Sequence, residues 1–295
     1  MPRRPARLTV ASAAVIALVA PAAIAVAAPH VAARTTPTLR AKIANGKLAV
    51  VGNRTFSAGR LNVSLNAVDA ESAIAVVTLH KGYTFQGFRH DVAAFGASFG
   101  QNGQPSKSGL RHLRHAYNNT TSYGGLDVGK GKTLTATMLI PRSAGETVMF
   151  NDSGNLPKQK ISLSVTAPSG PQTLPKTAAR VVGMTNKRFG GATTLPARGT
   201  ITFKNASTES PHLLALQHVK DGTTRQQVIA ALMSNSPPAF VRPGSQGTDF
   251  VSQGHAQTMQ TKLPAGTYAE MCFVPDPQTG QPHALMGMVR IVTLK

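Results

Sequence analysis

The C-terminal stretch Gly266-Thr267-Tyr268-Ala269-Glu270-Met271-Cys272-Phe273-Val274, with Pro282-His283-Ala284-Leu285-Met286-Gly287-Met288-Val289 after it, decides how this chain is interpreted. It contains the only cysteine among 295 residues, then a histidine, then a methionine five positions beyond the histidine. Residues 290–294 alternate between polar and apolar side chains, as a β-strand does. We therefore predict two strands joined by a loop, with these sulfur and nitrogen side chains close to the loop.

A thiolate, an imidazole and a thioether are three of the four ligands of a blue-copper site, which also needs a second histidine. Upstream, residues 201–205 alternate as a strand does and are followed by a polar turn and Ser210-Pro211-His212. His212 is the predicted second histidine. His218 is predicted to be a structural histidine and is left out of the site.

These motifs together resemble the cupredoxin (plastocyanin-like) family. The resemblance is carried by Phe-x-Asn ending at Asn205, Pro-His at 211–212, Gly-Thr-Tyr before Cys272, and His-x4-Met from His283 to Met288, over about residues 179–295. It implies one copper ion in a type 1 site whose ligands are His212, Cys272, His283 and Met288. In this interpretation His283 is a partly exposed ligand through which electrons could pass, and Met286 fills the core. Ten residues separate Cys272 from His283, more than in most small cupredoxins.

The N-terminus has the pattern of an export signal. Arg3, Arg4 and Arg7 precede an apolar run, and Ala25-Val26-Ala27 offers the small residues that a signal peptidase needs. We predict a signal peptide at 1–27, a retained membrane anchor being the alternative, and a flexible lead-in at 28–43. A single cysteine in an exported chain can be a free thiol, half of an intermolecular disulfide, or a metal ligand.

The rest of the chain is predicted to form two related domains. A Pro- and Gly-rich stretch at 167–178 is predicted to link a first domain (44–166) to a second (179–295). Val63-Ser64-Leu65 aligns with Ile201-Thr202-Phe203, which places Ile74 at the position of His212 and Asn151 or a neighbour near that of Cys272. The first domain is therefore predicted to lack copper ligands.

The predicted fold class is all-β, with two Greek-key, cupredoxin-like sandwiches in tandem. Strand-like alternation is seen at 61–68, 133–140, 160–165, 200–204 and 268–274. One short helix, 225–233 with a cap at Thr223 or Thr224, is predicted as an insertion in the second sandwich. The run Arg111-His112-Leu113-Arg114-His115 is predicted to be an exposed basic loop, and His255 a surface residue.

Composition limits the partners. The formal net charge of +20 favours polyanions, so we expect a redox partner or an anionic cell-surface component. The basic residues are scattered and form no aromatic-basic motif, so nucleic acid is not expected, nor is a membrane span after signal cleavage. The alternative to a copper protein is a metal-free cell-surface binding or structural protein built on the same sandwiches.

An enzyme is not expected. Cupredoxin-like oxidases and nitrite reductases assemble further copper centres largely from His-x-His or His-Cys-His pairs, and this chain has neither. It also lacks the His-Glu-x-x-His helix of zinc proteases. The expected function is single-electron transfer or copper holding outside the cell.

Overall fold

The structure is a computed structural model that describes residues 36–101, 103–153, 159–234 and 238–295. The predicted signal peptide (1–27) lies outside the described residues. The described residues form eighteen strands and three helices. The strands before residue 167 are β1 (Thr38–Ala44), β2 (Lys47–Val51), β3 (Thr55–Ser57), β4 (Gly59–Ala67), β5 (Ser72–Leu79), β6 (Thr120–Val128), β7 (Lys132–Ile140), β8 (Glu146–Asn151) and β9 (Lys160–Thr166). Those after residue 178 are β10 (Ala179–Met184), β11 (Arg188–Gly191), β12 (Thr194–Leu195), β13 (Arg198–Asn205), β14 (Ala215–Val219), β15 (Val241–Gly247), β16 (Ala256–Lys262), β17 (Gly266–Met271) and β18 (Val289–Leu294).

The strands form two sheets, in each of which the strand order of the second half mirrors that of the first, with β10 to β18 corresponding to β1 to β9 in turn. One sheet runs β11-β10-β13-β16-β7-β4-β1-β2, and the other runs β12-β18-β17-β14-β15-β6-β5-β8-β9-β3. Each pairing in the first half has a counterpart of the same direction in the second: parallel β1 with β4 matches parallel β10 with β13, and antiparallel β5 with β8 matches antiparallel β14 with β17. The predicted all-β class of two tandem sandwiches is confirmed.

The halves join through the middle of both sheets. Strand β16 pairs antiparallel with β7, and β15 pairs antiparallel with β6. Residues 167–178, predicted as the linker, contain neither helix nor strand and lie between the two sets of strands. The division into domains at this segment stays a prediction.

Alternation explains why these residues form strands. Along β4, Leu61, Val63 and Leu65 point inwards and are fully buried, while the residues between them are more exposed. Inward residues of both sheets form one continuous core, which Phe203 and Tyr268 join from the second half. Such packing of two inner faces is how a β-sandwich buries its apolar surface.

The predicted flexible lead-in (28–43) was too long. Residues 38–43 belong to β1, which pairs with β4 in parallel register. Leu39, Ala41 and Ile43 are buried on one face, with exposed residues between them. The period of two was present in the sequence, but the Ala-, Thr- and Arg-rich composition hid it.

The helices lie at equivalent places in the two halves. The predicted helix is α3 (Arg225–Leu232), between β14 and β15, with a capping box formed by Thr224 and Gln227. Between β5 and β6 lie α1 (Phe85–Gly96) and α2 (Lys107–Asn118), neither of which we predicted. The exposed basic loop predicted at 111–115 is therefore wrong, since these residues form the middle of α2 with Leu113 buried.

The N-termini of α1 and α2 have capping residues that we did not identify from the sequence. Thr84 and Ser106 each accept a hydrogen bond from the backbone N–H three residues later, as N-cap residues do. No helix among the described residues is long and apolar enough to cross a membrane.

Candidate metal centre

His212 is held in place by the backbone on both of its sides. Its N–H donates to Val251 O (3.1 Å) and its carbonyl accepts from Val251 N (2.8 Å), which extends the β14–β15 pairing towards the end of the sheet. The Asn205 side chain donates to Ser210 O (2.9 Å) and to Val251 O (2.8 Å). The strand that ends at Asn205 thereby fixes the segment that carries His212.

Gly183 on β10 leaves room for the His212 ring because it has no side chain. A Cβ built on Gly183 would lie 2.7 Å from His212 Cδ2 and 3.1 Å from its Cγ. Any side chain at 183 would therefore push the ring away. The sequence alone gave no reason to connect these two residues.

Cys272 follows β17 directly, and His283 and Met288 lie on the segment that returns into β18. Three backbone hydrogen bonds close this unit: Ala284 N to Cys272 O (2.7 Å), His283 N to Val274 O (3.0 Å) and Met288 N to His283 O (2.8 Å). The strand predicted to reach Val274 ends at Met271, since the chain turns into the loop there. Cys272, His283 and Met288 are all 0% exposed.

The ten-residue loop between Cys272 and His283 is ordered by Asp276. Its Oδ1 accepts from the N–H groups of Gln278 and Thr279 (both 2.9 Å), and its Oδ2 lies 3.1 Å from Lys187 Nζ. Burial opposes ionisation of Asp276, but the hydrogen bond from Lys187 and those from the loop backbone outweigh it and lower the pKa. Helix α2 also supports the loop, because Tyr117 Oη donates to Pro275 O (3.0 Å).

Three donor atoms converge on one point. Nδ1 of His212 lies 3.1 Å from Nδ1 of His283, and Cys272 Sγ lies 3.8 Å and 3.5 Å from these two atoms. A point inside this triangle is about 2.0 Å from all three corners, close to metal–nitrogen bonds of about 2.0 Å and metal–thiolate bonds of about 2.3 Å. The three side chains therefore fit one metal ion with little movement.

Hydrogen bonds orient the donors. His212 Nε2 lies 3.2 Å from Met184 O, which can only accept, so Nε2 carries the proton and Nδ1 presents its lone pair to the centre. Ser210 Oγ lies 3.4 Å from His283 Nε2. The Leu213 N–H points at Cys272 Sγ (3.4 Å) and partly offsets the charge of a thiolate.

Burial sets the protonation states of the centre. It lowers the pKa of His212 to about 4 and that of His283 to about 3, and it raises the pKa of the Cys272 thiol to about 12. Both imidazoles are thus neutral near pH 7, as metal ligands must be. Binding of a metal would release the thiol proton.

The two methionines differ. Met288 is 0% exposed and its carbonyl accepts from Cys272 N (3.3 Å), so its backbone is tied to the cysteine. Met286, which we expected to fill the core, is 37% exposed. The expectation of a partly exposed His283 is also wrong, because this residue is 0% exposed. The role of Met288 as a ligand stays a prediction.

The first half contains no group of two histidines and a cysteine among its described residues, although its strands correspond to those of the second half. Ile74 is fully buried on β5, and Asp152 follows β8 as Cys272 follows β17. His218 is not among the three donors: its ring stacks on that of Tyr268 (ring centroids 4.8 Å apart), and its Nδ1 is hydrogen-bonded to Pro243 O. His255, predicted at the surface, is half-buried against Tyr123, and burial lowers its pKa.

A second titratable cluster joins α1 and α2. Asp91 on α1 is 4% exposed and accepts hydrogen bonds from Tyr83 Oη (2.7 Å), His112 Nδ1 (2.7 Å) and His115 Nδ1 (2.6 Å). Burial raises the pKa of Asp91, but these three bonds outweigh it and lower the pKa to about 2. His90, Asp91 and His112 could approach a metal together, yet both carboxylate oxygens already have donors. The cluster is explained as the link that holds the two helices together.

Comparison with known proteins gives distant structural likenesses. No family model matches the chain, and no curated protein does. A dithionite-reduced auracyanin from the photosynthetic bacterium Roseiflexus castenholzii is similar at 23% identity over 39% of this chain and 94% of its own, with a TM-score of 0.27. A multicopper oxidase is similar at 10% identity over 88% of both chains (TM-score 0.23), and a copper-containing nitrite reductase from Thermus scotoductus at 11% identity over 88% of this chain and 68% of its own (TM-score 0.23).

TM-scores this low indicate nothing about function, which must be inferred from the residues of this chain. Two of these similar proteins are enzymes by name, so our expectation that the chain is not an enzyme stays a prediction.

Proposed function

We propose that the chain is an exported copper protein that binds one copper ion in a type 1 site and transfers single electrons or holds copper. The ligands are His212, Cys272 and His283, with Met288 as the weak axial ligand. The observation that carries this proposal is the convergence of two imidazole nitrogens and one thiol sulfur around a point at metal-bonding distance from all three. Two imidazoles, one thiolate and a distant thioether are the blue-copper donor set.

The scaffold supports a site that changes little between oxidation states. His212 is fixed through Val251 and Asn205, while Cys272 and His283 are fixed by the closed strand-loop-strand unit. Copper bound there would supply one-electron redox chemistry. The chain's own part is to hold the donors in one arrangement, to exclude water from them, and to offset the thiolate charge through the Leu213 N–H.

The partner proposed for this site is acidic. The chain carries a formal charge of +20, and such a field raises the encounter rate with anionic proteins or surfaces. Export is proposed from the pattern of residues 1–27 alone. The association rate with an acidic redox partner should then fall steeply as ionic strength rises.

The test is a titration of the purified chain with Cu(II), followed in the visible spectrum. A type 1 site gives an intense thiolate-to-copper band at about 600 nm, or down to roughly 450 nm in a distorted site. We expect this band in the wild type, its loss in Cys272→Ser, and no change in the matched control His218→Ala. Absence of the band in the folded wild type, or its survival in Cys272→Ser, would contradict the proposal.

Electron transfer and copper holding are separated by repeated redox cycles. An electron carrier should be reduced by ascorbate and reoxidised by ferricyanide many times while keeping its copper. A holding protein would instead lose Cu(I) to a strong chelator after reduction. Metal content after the cycles decides between the two.

A further inference from the structure

A cavity of about 570 Å³ lies between the helices of the first half and the sheet beneath them. Helix α1 contributes Val92 and Ala93, which are partly exposed, and β5 contributes Ala75 and Val77, which are buried. Its volume falls within the usual range for small-molecule sites, about 300–1,000 Å³. The candidate metal centre does not use this cavity.

Aromatic rings line much of the wall. They are Phe88 and Phe95 from α1, Tyr117 from α2, Phe150 from β8, and Phe250, which follows β15. This concentration is unusual in a chain with only 5% aromatic residues and no tryptophan. Ring faces attract organic cations as well as apolar groups.

Two carboxylic acids complete the lining. Asp152, after β8, and Asp249, after β15, are close enough for each to shift the pKa of the other, and Asp249 is 5% exposed. Burial and then the neighbouring charge of Asp152 raise the pKa of Asp249 well above its usual range. Asp127 adds further negative charge nearby.

No cation balances these acids among the residues that the structure describes. The ion pairs of the described residues involve other acids, namely Asp91, Glu146, Glu209, Glu270 and Asp276. A buried carboxylate without a cationic partner is costly, and the raised pKa values of Asp152 and Asp249 mean that the pair holds a proton in place of a cation. A positively charged ligand would remove that cost, although the chain as a whole is strongly basic.

We propose that this cavity binds a small apolar amine, whose ammonium group meets Asp152 and Asp249 while its apolar body lies among the aromatic rings. The charge of the acid pair selects the cation, and the rings select an apolar body over a simple metal ion. The proposal does not depend on copper. It assigns a binding site to a cavity that residues of both halves line.

The cavity also borders the segments that carry the copper donors. Pro211, which precedes His212, and Pro275, in the ligand loop, both line it. Tyr117 lines it as well and donates to Pro275 O. A bound amine would therefore contact both segments that carry the copper donors.

The test uses tryptamine, the neutral tryptophol and the anionic indole-3-propionate, three indoles of similar size. Because the chain has no tryptophan, indole fluorescence anisotropy reports binding of each probe without background from the protein. We expect tryptamine to bind at least tenfold more tightly than tryptophol, and indole-3-propionate not to bind. Equal affinity for tryptamine and tryptophol, or no binding of tryptamine at millimolar concentration, would overturn the proposal.

Substitutions in the lining test whether tryptamine binds in this cavity. Asp249→Asn should lower tryptamine affinity at least tenfold and leave tryptophol unchanged, while the exposed Asp221→Asn should change neither. Ala93→Phe should fill the cavity and abolish binding of both probes. If Asp249→Asn fails to fold, Asp152→Asn serves in its place. Tryptamine binding that survives Ala93→Phe, or the carboxylate substitution, would refute the site.

Discussion

Replacement of Asn205 by alanine should loosen the His212 segment and lower the stability of the chain. Asn205 is 0% exposed, and its side chain makes three buried hydrogen bonds: to Ser210 O, to Val251 O, and from Ser207 N (2.8 Å) to its Oδ1. Alanine removes all three: Val251 O keeps the hydrogen bond from the His212 N–H, whereas Ser210 O and the Ser207 N–H lose the partner described here. The sequence motif Phe-x-Asn thus corresponds to a clamp across the turn that leads to His212.

The magnitude follows from these bonds. A buried neutral hydrogen bond contributes about 1 kcal/mol, so three contribute about 3 kcal/mol. In a chain of this size that corresponds to a fall in Tm of about 6–12 °C. Copper affinity should fall about 10–100-fold, as happens when groups that orient a metal ligand are removed.

Thermal unfolding followed by circular dichroism, with and without copper, measures both effects. Asn66→Ala is the control, because Asn66 is exposed near the end of β4, the counterpart of β13, and should shift Tm by less than about 2 °C. If Asn205→Ala lowers Tm no more than Asn66→Ala does, Asn205 is not the clamp that the structure indicates. If Tm falls while copper affinity is unchanged, the clamp does not act on His212.

Three further outcomes are expected. Met288→Leu should keep the thiolate-to-copper band but shift its position and the reduction potential, while the same change at the exposed Met286 should leave both unaltered; identical spectra for the two variants would exclude Met288 as the axial ligand. Gly183→Ala should displace the His212 ring and weaken copper binding at least tenfold, whereas Gly96→Ala, where a Cβ meets nothing, should not; equal copper affinity in both would show that the ring tolerates the added methyl group. The pKa of Asp91 is lowered from 3.8 to about 2, so its interactions stabilise the fold above about pH 4, and the free energy of unfolding should fall by about 2 kcal/mol as the pH falls from 4 to 2. Urea unfolding midpoints of the wild type and of Asp91→Asn across this pH range measure the loss, and an equal pH dependence of the two proteins would contradict it.

The motifs predicted the metal centre because its ligands belong to short units with local signals. Cys272, His283 and Met288 lie on one strand-loop-strand unit, and Pro-His follows the strand that ends at Asn205. The predicted solvent exposure of the residues around the site was wrong. His283 is covered and Met286 is not, because exposure depends on how the loop folds over the site, and the loop fold depends on bonds such as those of Asp276 that join residues distant in sequence.

The first half was harder to interpret. Its strands alternate and were found, but α1 and α2 carry few apolar residues, and their caps at Thr84 and Ser106 resemble ordinary turn residues. The pairing of Asp152 with Asp249 joins residues almost a hundred positions apart, and no local pattern marks it. The cavity and its acid pair therefore could not be predicted from the sequence.

Local patterns predict the strand periodicity, the turn residues and the ligand types, since these depend on residues that are neighbours in the chain. The folded chain adds what no local pattern contains: His212 meets Cys272 and His283 at metal-bonding distance, Gly183 leaves room for the imidazole, and two carboxylic acids share the lining of an aromatic cavity. The physical reason is that close packing brings together groups from distant strands, and their burial then sets the pKa values and the chemistry of both sites.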